Sequence, residues 1–80
     1  MASRKVMLTY PEQLIKEPVL FRMAMKYQVC PNIRRARVTD TVGEIVAELE
    51  GDDAAVEAGI RFLQDAGVQV EPLSGEVLSP

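Results

Sequence analysis

The sequence predicts an α+β domain whose elements follow in the order strand, helix, strand, strand, helix, strand. Four short segments alternate polar and apolar residues, the period of a half-buried strand, and two segments repeat apolar residues at helical spacing. A chain of 80 residues with 48% hydrophobic and 26% charged side chains suffices for a single core. The usual arrangement for this order is the ferredoxin-like sandwich, a four-stranded antiparallel sheet with both helices on one face and the first and third strands central.

The strand predictions rest on alternation and on the residues that end it. In the first strand Val6, Leu8 and Tyr10 fall on one side, and Pro11 ends the segment. The second strand carries three arginines, and at a sheet edge these charges discourage unwanted strand addition. The predicted strands are residues 4–10, 30–39, 44–50 and 68–73.

Both helices are predicted from an apolar stripe together with residues suited to the helix ends. The first runs from about Pro18, whose missing N–H costs nothing in a first turn, to Gln28. The second is capped by Asp52 or Asp53 and ends before Gly67. The stripes comprise Leu20, Met23, Ala24 and Tyr27 in the first helix, and Val56, Gly59, Ile60 and Leu63 in the second. The domain is predicted over residues 4–73, between an N-terminal extension, residues 1–3, and a flexible tail, residues 74–80.

The composition disfavours catalytic and metal chemistry. Histidine is absent, which removes the usual general base near neutral pH and the commonest metal ligand. Cys30 is the single cysteine, so the chain holds no internal disulfide framework and no Cys-rich metal cage. We predict a chain that is not an enzyme and that has neither a cofactor nor a metal. Cys30 follows apolar Val29 and is predicted as a small core residue without a redox role.

The apolar runs are short and interrupted by charge, and none approaches the length of a membrane-spanning helix. The first five residues lead directly into an alternating segment and not into the apolar stretch of a signal peptide. We therefore predict a cytoplasmic protein without membrane insertion.

Charge is divided unevenly along the chain. Residues 1–40 hold eight basic and three acidic side chains, whereas residues 41–80 hold one basic and nine acidic side chains. Either the two halves interleave in one fold and neutralise each other, or the asymmetry steers a partner.

Several short motifs occur in an order that carries a family resemblance. They are Tyr10-Pro11-Glu12, Glu17-Pro18-Val19, Asn32-Ile33, Gly43, Glu48-Leu49-Glu50-Gly51-Asp52 and Gly67-Val68-Gln69-Val70-Glu71-Pro72-Leu73. This set resembles the NIL domain family over roughly residues 4–73. The resemblance implies an ACT-like regulatory, ligand-binding domain that pairs across its sheet, found at the C-terminus of methionine-importer ATPases and beside ferredoxin-type iron–sulfur modules.

One position departs from the family pattern. The family triplet Asn-Ile-Leu is here Asn32-Ile33-Arg34, followed by Arg35, which is similar to the form that accompanies iron–sulfur proteins. The substitution implies a more polar pocket, with weaker affinity for methionine and better tolerance of an anionic ligand. The sequence has no ATPase motif and no Cys-x-x-Cys cluster, so transport or electron transfer would come from another chain.

The resemblance assigns a ligand site to Asn32, Ile33 and Arg34. In the family this asparagine helps to form the site, and an amide can hold the carboxylate or amide of an amino acid. The alternative is a strand-end asparagine bonded to backbone.

Arg34, Arg35 and Arg37 are candidates for binding an anionic ligand or an acidic partner surface, because guanidinium groups match carboxylate and phosphate. Alternatively, they form a solvated edge paired with Glu44 or Glu48. Nucleic acid is not the expected partner, because the chain has only four aromatic residues and no RNA-binding aromatic motif.

Apolar residues outside the predicted core indicate partner surfaces. Met7, Ile33 and Val46 are predicted together on the sheet face opposite the helices, as a homodimer surface. Phe21 and Met25 lie off the main stripe of the first helix, either at the edge of the core or facing a partner.

Two functions follow from these observations. The first is a dimeric, non-catalytic module that senses an amino-acid-like ligand or small organic anion, or that docks on a partner protein. The alternative is a structural accessory subunit of a larger complex, which contacts an iron–sulfur or transport partner chain through the Arg-rich edge strand.

Overall fold

The computed structural model describes residues 2–73, and within them the elements follow the predicted order. The strands are β1 (Ala2–Tyr10), β2 (Cys30–Val38), β3 (Gly43–Gly51) and β4 (Gln69–Pro72), and the helices are α1 (Val19–Tyr27) and α2 (Asp53–Ala66), with a short 3₁₀ turn at Glu12–Leu14. β1 begins at Ala2, so the first strand takes in two residues assigned above to an N-terminal extension. The predicted tail, residues 74–80, lies outside the described residues.

The four described strands form one antiparallel sheet in the order β2-β3-β1-β4. The first and third strands are central and the Arg-rich second strand is at an edge, as predicted. Acidic β3 lies between β1 and β2, which together carry most of the basic residues. The two differently charged parts of the sequence are therefore neighbours in the sheet.

The core lies between the sheet and the two helices. One side of β1 supplies Val6 and Leu8, and one side of β3 supplies Ala47 and Leu49, because paired residues of neighbouring strands share a face. α1 contributes Met23 to this core and α2 contributes Leu63, each at 0% exposure. The predicted stripes of both helices therefore contribute to the core.

The two helices approach closely where α2 has no side chain. A Cβ atom built on Gly59 would lie 2.7 Å from the sulfur of Met23, a distance that real contacts do not reach. α2 ends at Gly67, whose φ of +108° is in the left-handed region that glycine favours. Asp52 is the N-cap residue of α2, but its side chain makes no capping hydrogen bond.

Tyr10 ends β1 inside the core. Its side chain is 6% exposed, and its hydroxyl is buried without a hydrogen-bond partner among residues 2–73. Burial raises the pKa of Tyr10 from 10.0 to about 12. The phenol therefore remains a neutral, buried donor under physiological conditions.

We expect Tyr10→Phe to leave the protein as stable as the parent at neutral pH, or more stable by about 1 kcal/mol, because it removes a desolvated hydroxyl without removing a hydrogen bond. In the parent, the unfolded chain releases this proton near pH 10 and the folded chain only near pH 12. The stabilisation linked to this proton is thus present below pH 10 and is lost as pH rises through 12. Urea unfolding of both proteins at pH 7, 9 and 11 measures this, and a variant that is less stable at pH 7 would contradict it.

Candidate functional site

β2 is the most exposed strand of the sheet. Eight of its nine residues are exposed, and Pro31 is half-buried. One side of the strand pairs with β3, whereas the other side pairs with no strand among the described residues. Its outer backbone N–H and C=O groups are therefore available to a further strand.

An irregularity in the middle of β2 decides which residues share a face. Ile33 pairs with Ala47, but Arg35 pairs with the adjacent Val46, so Arg34 is the extra residue of a β-bulge. Because Ala47 is buried under the helices, its partner Ile33 also lies on the helix side. The prediction that Ile33 shares a face with Met7 and Val46 was therefore wrong.

The open face of the sheet brings together four of the predicted partner-binding residues. Met7, Arg35, Arg37 and Val46 line a depression together with Glu44, and we call these five residues the open-face cluster. Arg37 is in register with Glu44, and Arg35 with Val46. The ion pairs found among residues 2–73 include neither Arg35 nor Arg37. Both guanidinium groups are thus available to an anionic partner.

α1 and the helix side of β2 together form an exposed apolar surface. Phe21, Met25, Ile33 and Val38 are 63%, 66%, 53% and 61% exposed, and we call these four residues the apolar strip. They line two adjoining grooves that share Leu20 and Phe21.

The apolar strip exists because α1 packs mainly against α2 and hardly contacts β2. The helix-facing side of the edge strand is therefore left without cover. For Phe21 and Met25 the placement at the edge of the core was wrong: both are exposed, as the partner-facing alternative requires. Ala36 and Val38 share this side, opposite Arg35 and Arg37.

The three predicted ligand-binding residues do not enclose a pocket by themselves. The Arg34 guanidinium donates a hydrogen bond to a carboxylate oxygen of Glu48 at 2.8 Å, and Asn32 is in register with the same glutamate. Ile33 lies on the opposite face of the strand. Through that hydrogen bond Arg34 holds the pKa of the Glu48 carboxyl below its usual range. An anionic ligand at Arg34 would therefore compete with a carboxylate that is already in place.

Cys30 was predicted to lie in the core, but the structure places it on the surface. It is exposed and pairs with Glu50 on the open face, because strand alternation gives the buried position to Val29 and the exposed one to its neighbour.

Within residues 2–73 no group of His, Cys, Asp or Glu side chains is arranged to hold a metal ion. Neither described helix has the length and apolar character needed to cross a membrane.

Two features of this surface were not predicted. The bulge at Arg34 breaks the strict period-two alternation on which the strand prediction rests. The sequence does contain its signal, since two polar residues, Arg34 and Arg35, separate the apolar residues Ile33 and Ala36 where one would suffice. The exposure of Val38 has no comparable signal, because it depends on where α1 rests.

Comparisons with known proteins bear on the family and on the fold. Residues 4–72 match the NIL domain family. No curated protein matches the sequence significantly. The chain is similar to a solved structure described as the C-terminal domain of an ABC transporter/ATP-binding protein from Enterococcus faecalis, with a TM-score of 0.76 and 22% identity over 88% of this chain and 82% of that one. At this identity the similarity concerns the fold, and it agrees with the predicted α+β sandwich.

Proposed function

The chain belongs to the NIL domain family, and we propose that it is a non-catalytic, cytoplasmic docking module that binds a protein partner through β2. The observation that carries this proposal is the apolar strip beside the edge of β2 that pairs with no strand in residues 2–73. Four large apolar side chains, each more than half exposed, line two adjoining grooves at one edge of a small domain. Such contiguous apolar surface is typical of an interaction site.

The distribution of apolar residues supports docking over a merely imperfect core. The core residues of β1, β3 and both helices are buried to within a few per cent. The exposed apolar side chains are concentrated on α1 and β2, with Val42 in the following turn. A partner that covers Phe21, Met25 and Ile33 would bury their apolar surface, which contributes a favourable free energy of roughly 25 cal/mol per Å².

A photo-crosslinking amino acid introduced at Phe21 tests the proposal in cells. We expect a discrete adduct from this position, because the side chain would contact the partner directly. The matched control is the same amino acid at Arg61, an exposed position on α2. Mass spectrometry of the adduct identifies the partner. Equal adducts from both positions, or none from Phe21, would contradict docking at the apolar strip.

A homodimer is one form that this docking can take. The uncharged apolar strip could pack against its counterpart on a second copy, which would shield both from water. Sedimentation would then give about twice the 8.8 kDa of one chain, and the adduct from Phe21 would contain two copies. Phe21→Ser together with Met25→Ser should return the protein to a monomer, whereas Val42→Ser should not. A dimer that survives the double substitution would place the contact elsewhere.

Ligand sensing is a second candidate function. It is favoured by the position of Asn32, whose exposed amide is in register with Glu48 and next to the Arg34–Glu48 ion pair. We propose that Asn32, Ile33 and Arg34 contribute to a site for an amino acid or a small organic anion, completed by a partner chain because β2 alone does not enclose one.

Asn32→Ala should then weaken binding about ten- to hundredfold, the cost of losing a hydrogen bond to a charged group. Thermal shift against an amino-acid and organic-acid library measures this effect. Gln69→Ala removes an exposed amide from the opposite edge strand, β4, and is the matched control. If no compound shifts the melting temperature of the parent, or if Asn32→Ala responds like the parent, the sensing function is wrong.

A further inference from the structure

We propose that the outer edge of β2, which pairs with no strand in the described part of the chain, binds an extended, acidic segment of a partner protein as a further strand of the sheet. Acidic and apolar side chains alternate along that segment. This inference rests on the proposed docking function and specifies the chemistry of the partner. In strand addition, backbone hydrogen bonds supply affinity and alternate side chains supply specificity.

The two faces of the sheet differ in chemistry beside this edge, because one presents arginines and the other presents apolar side chains. After the bulge, residues 35–38 form a regular stretch in which Arg35 and Arg37 face the open side, while Ala36 and Val38 face the helix side. An added strand would place every second side chain next to these arginines and the intervening ones over the apolar strip. A segment that alternates carboxylates with apolar residues matches both faces at once.

The sheet itself contains a strand of this kind on the other side of β2. β3 reads Glu44-Ile45-Val46-Ala47-Glu48-Leu49-Glu50 between its two terminal glycines. It sets Glu44 opposite Arg37 and Ile45 opposite Ala36, and its Glu48 accepts a hydrogen bond from Arg34. β2 is thus already complementary to an acidic, alternating strand. Its outer edge offers Arg35 and Arg37 without ion pairs among the described residues.

Charge opposes the simplest self-pairing at this edge. β2 contains three arginines and no acidic residue. Antiparallel pairing of β2 with the β2 strand of a second copy would bring these arginines close to one another, and like charges on directly opposed residues destabilise a strand pair. An acidic partner segment removes this repulsion and replaces it with attraction.

The β4 strand of a second copy is the alternative occupant of this edge that the charges allow. β4 is the opposite edge of the sheet and carries Glu71. It is only four residues long and contains Pro72, which cannot donate to a ladder. A longer segment of another protein can therefore form backbone hydrogen bonds along more of the nine-residue edge of β2.

A synthetic peptide that copies residues 43–51, with blocked ends, is the probe. We expect it to bind the full chain in fluorescence polarisation, more weakly as salt is raised, because the arginine–carboxylate contacts are screened. Arg35→Glu with Arg37→Glu should weaken binding at least about 30-fold while the circular dichroism spectrum stays unchanged. Arg61→Glu reverses an exposed basic residue of α2 and is the matched control, with little expected effect.

Two further peptides separate strand addition from general charge attraction. Backbone nitrogens are methylated at alternate positions, in one peptide on the odd residues and in the other on the even residues. Strand addition predicts that one of the two loses binding, because only one set of N–H groups faces β2. Equal binding of both methylated peptides would overturn the proposal, and so would a parent peptide that does not bind.

Sedimentation of the chain alone completes the test. If the mass of the parent increases with concentration and the variant with Arg35→Glu and Arg37→Glu stays a monomer, a second copy occupies the edge. That result would overturn the proposal. If the peptide fails while the cross-link at Phe21 still forms, docking stands and strand addition is wrong. If the cross-link is absent and the peptide also fails, the proposed function falls with it.

Discussion

Replacing Leu8 with alanine is expected to lower the free energy of unfolding by about 2–5 kcal/mol. Leu8 is completely buried on central β1, where its side chain contributes to the core under both helices. The substitution leaves a cavity that the surrounding strands cannot close. A domain of this length has roughly 4–12 kcal/mol of stability in total, so the loss is a large part of it. Urea unfolding of the two proteins measures the difference.

Ile33→Ala is the matched control, because it removes a similar volume of apolar side chain from the helix side of β2. Ile33 is 53% exposed, so the expected loss of stability is below about 1 kcal/mol. The same substitution should weaken docking at the apolar strip. Leu8 and Ile33 thus separate apolar residues that stabilise the fold from those that we assign to function. Equal losses of stability would show that Ile33 belongs to the core.

Gly59→Leu is expected to destabilise the domain by at least about 2 kcal/mol, and its effect should exceed that of any exposed substitution on α2. A Cβ at this position meets the Met23 sulfur at 2.7 Å and the Met23 Cγ at 3.2 Å. Met23 is itself completely buried and has little room to move. The helices would have to separate, and the contact between them is a main support of α1.

Ala54→Leu provides the comparison for Gly59, because it adds the same side chain type at an exposed position of α2. Its expected effect is within about 0.5 kcal/mol. Thermal unfolding of both variants measures the contrast. A Gly59→Leu protein that melts at the temperature of the parent would mean that α1 and α2 do not pack as closely as described.

The fold could be predicted because each element has a local signal that agrees with the whole. Alternation around Leu8 and Leu49 identified the two central strands, and Gly67 marked the end of α2. The order of the elements then left few ways of covering one sheet face with two helices. The boundaries of β1 and α1 shifted by one or two residues, because helix and strand ends depend on backbone pairing more than on residue type.

The candidate surface could be predicted only in part. The arginines of β2 and the off-stripe positions of Phe21 and Met25 are visible in the sequence. Their grouping is not, because it depends on the bulge at Arg34 and on α1 lying closer to α2 than to β2. The bulge and the position of α1 both depend on tertiary structure. The bulge places Ile33 on the helix side, and the position of α1 leaves Ile33 exposed.

Hydrogen–deuterium exchange at the two edges of the sheet tests docking at β2 most directly. The peptide copy of residues 43–51 is added to the full chain, and exchange is compared between β2 and β4, the opposite edge strand. We predict that amides of residues 35–38 on the outer side of β2 exchange rapidly alone and slowly with the peptide, together with slower exchange in α1 around Phe21. Exchange in β4 should not change. Protection confined to β4, or the same exchange in β2 with and without the peptide, would contradict the account.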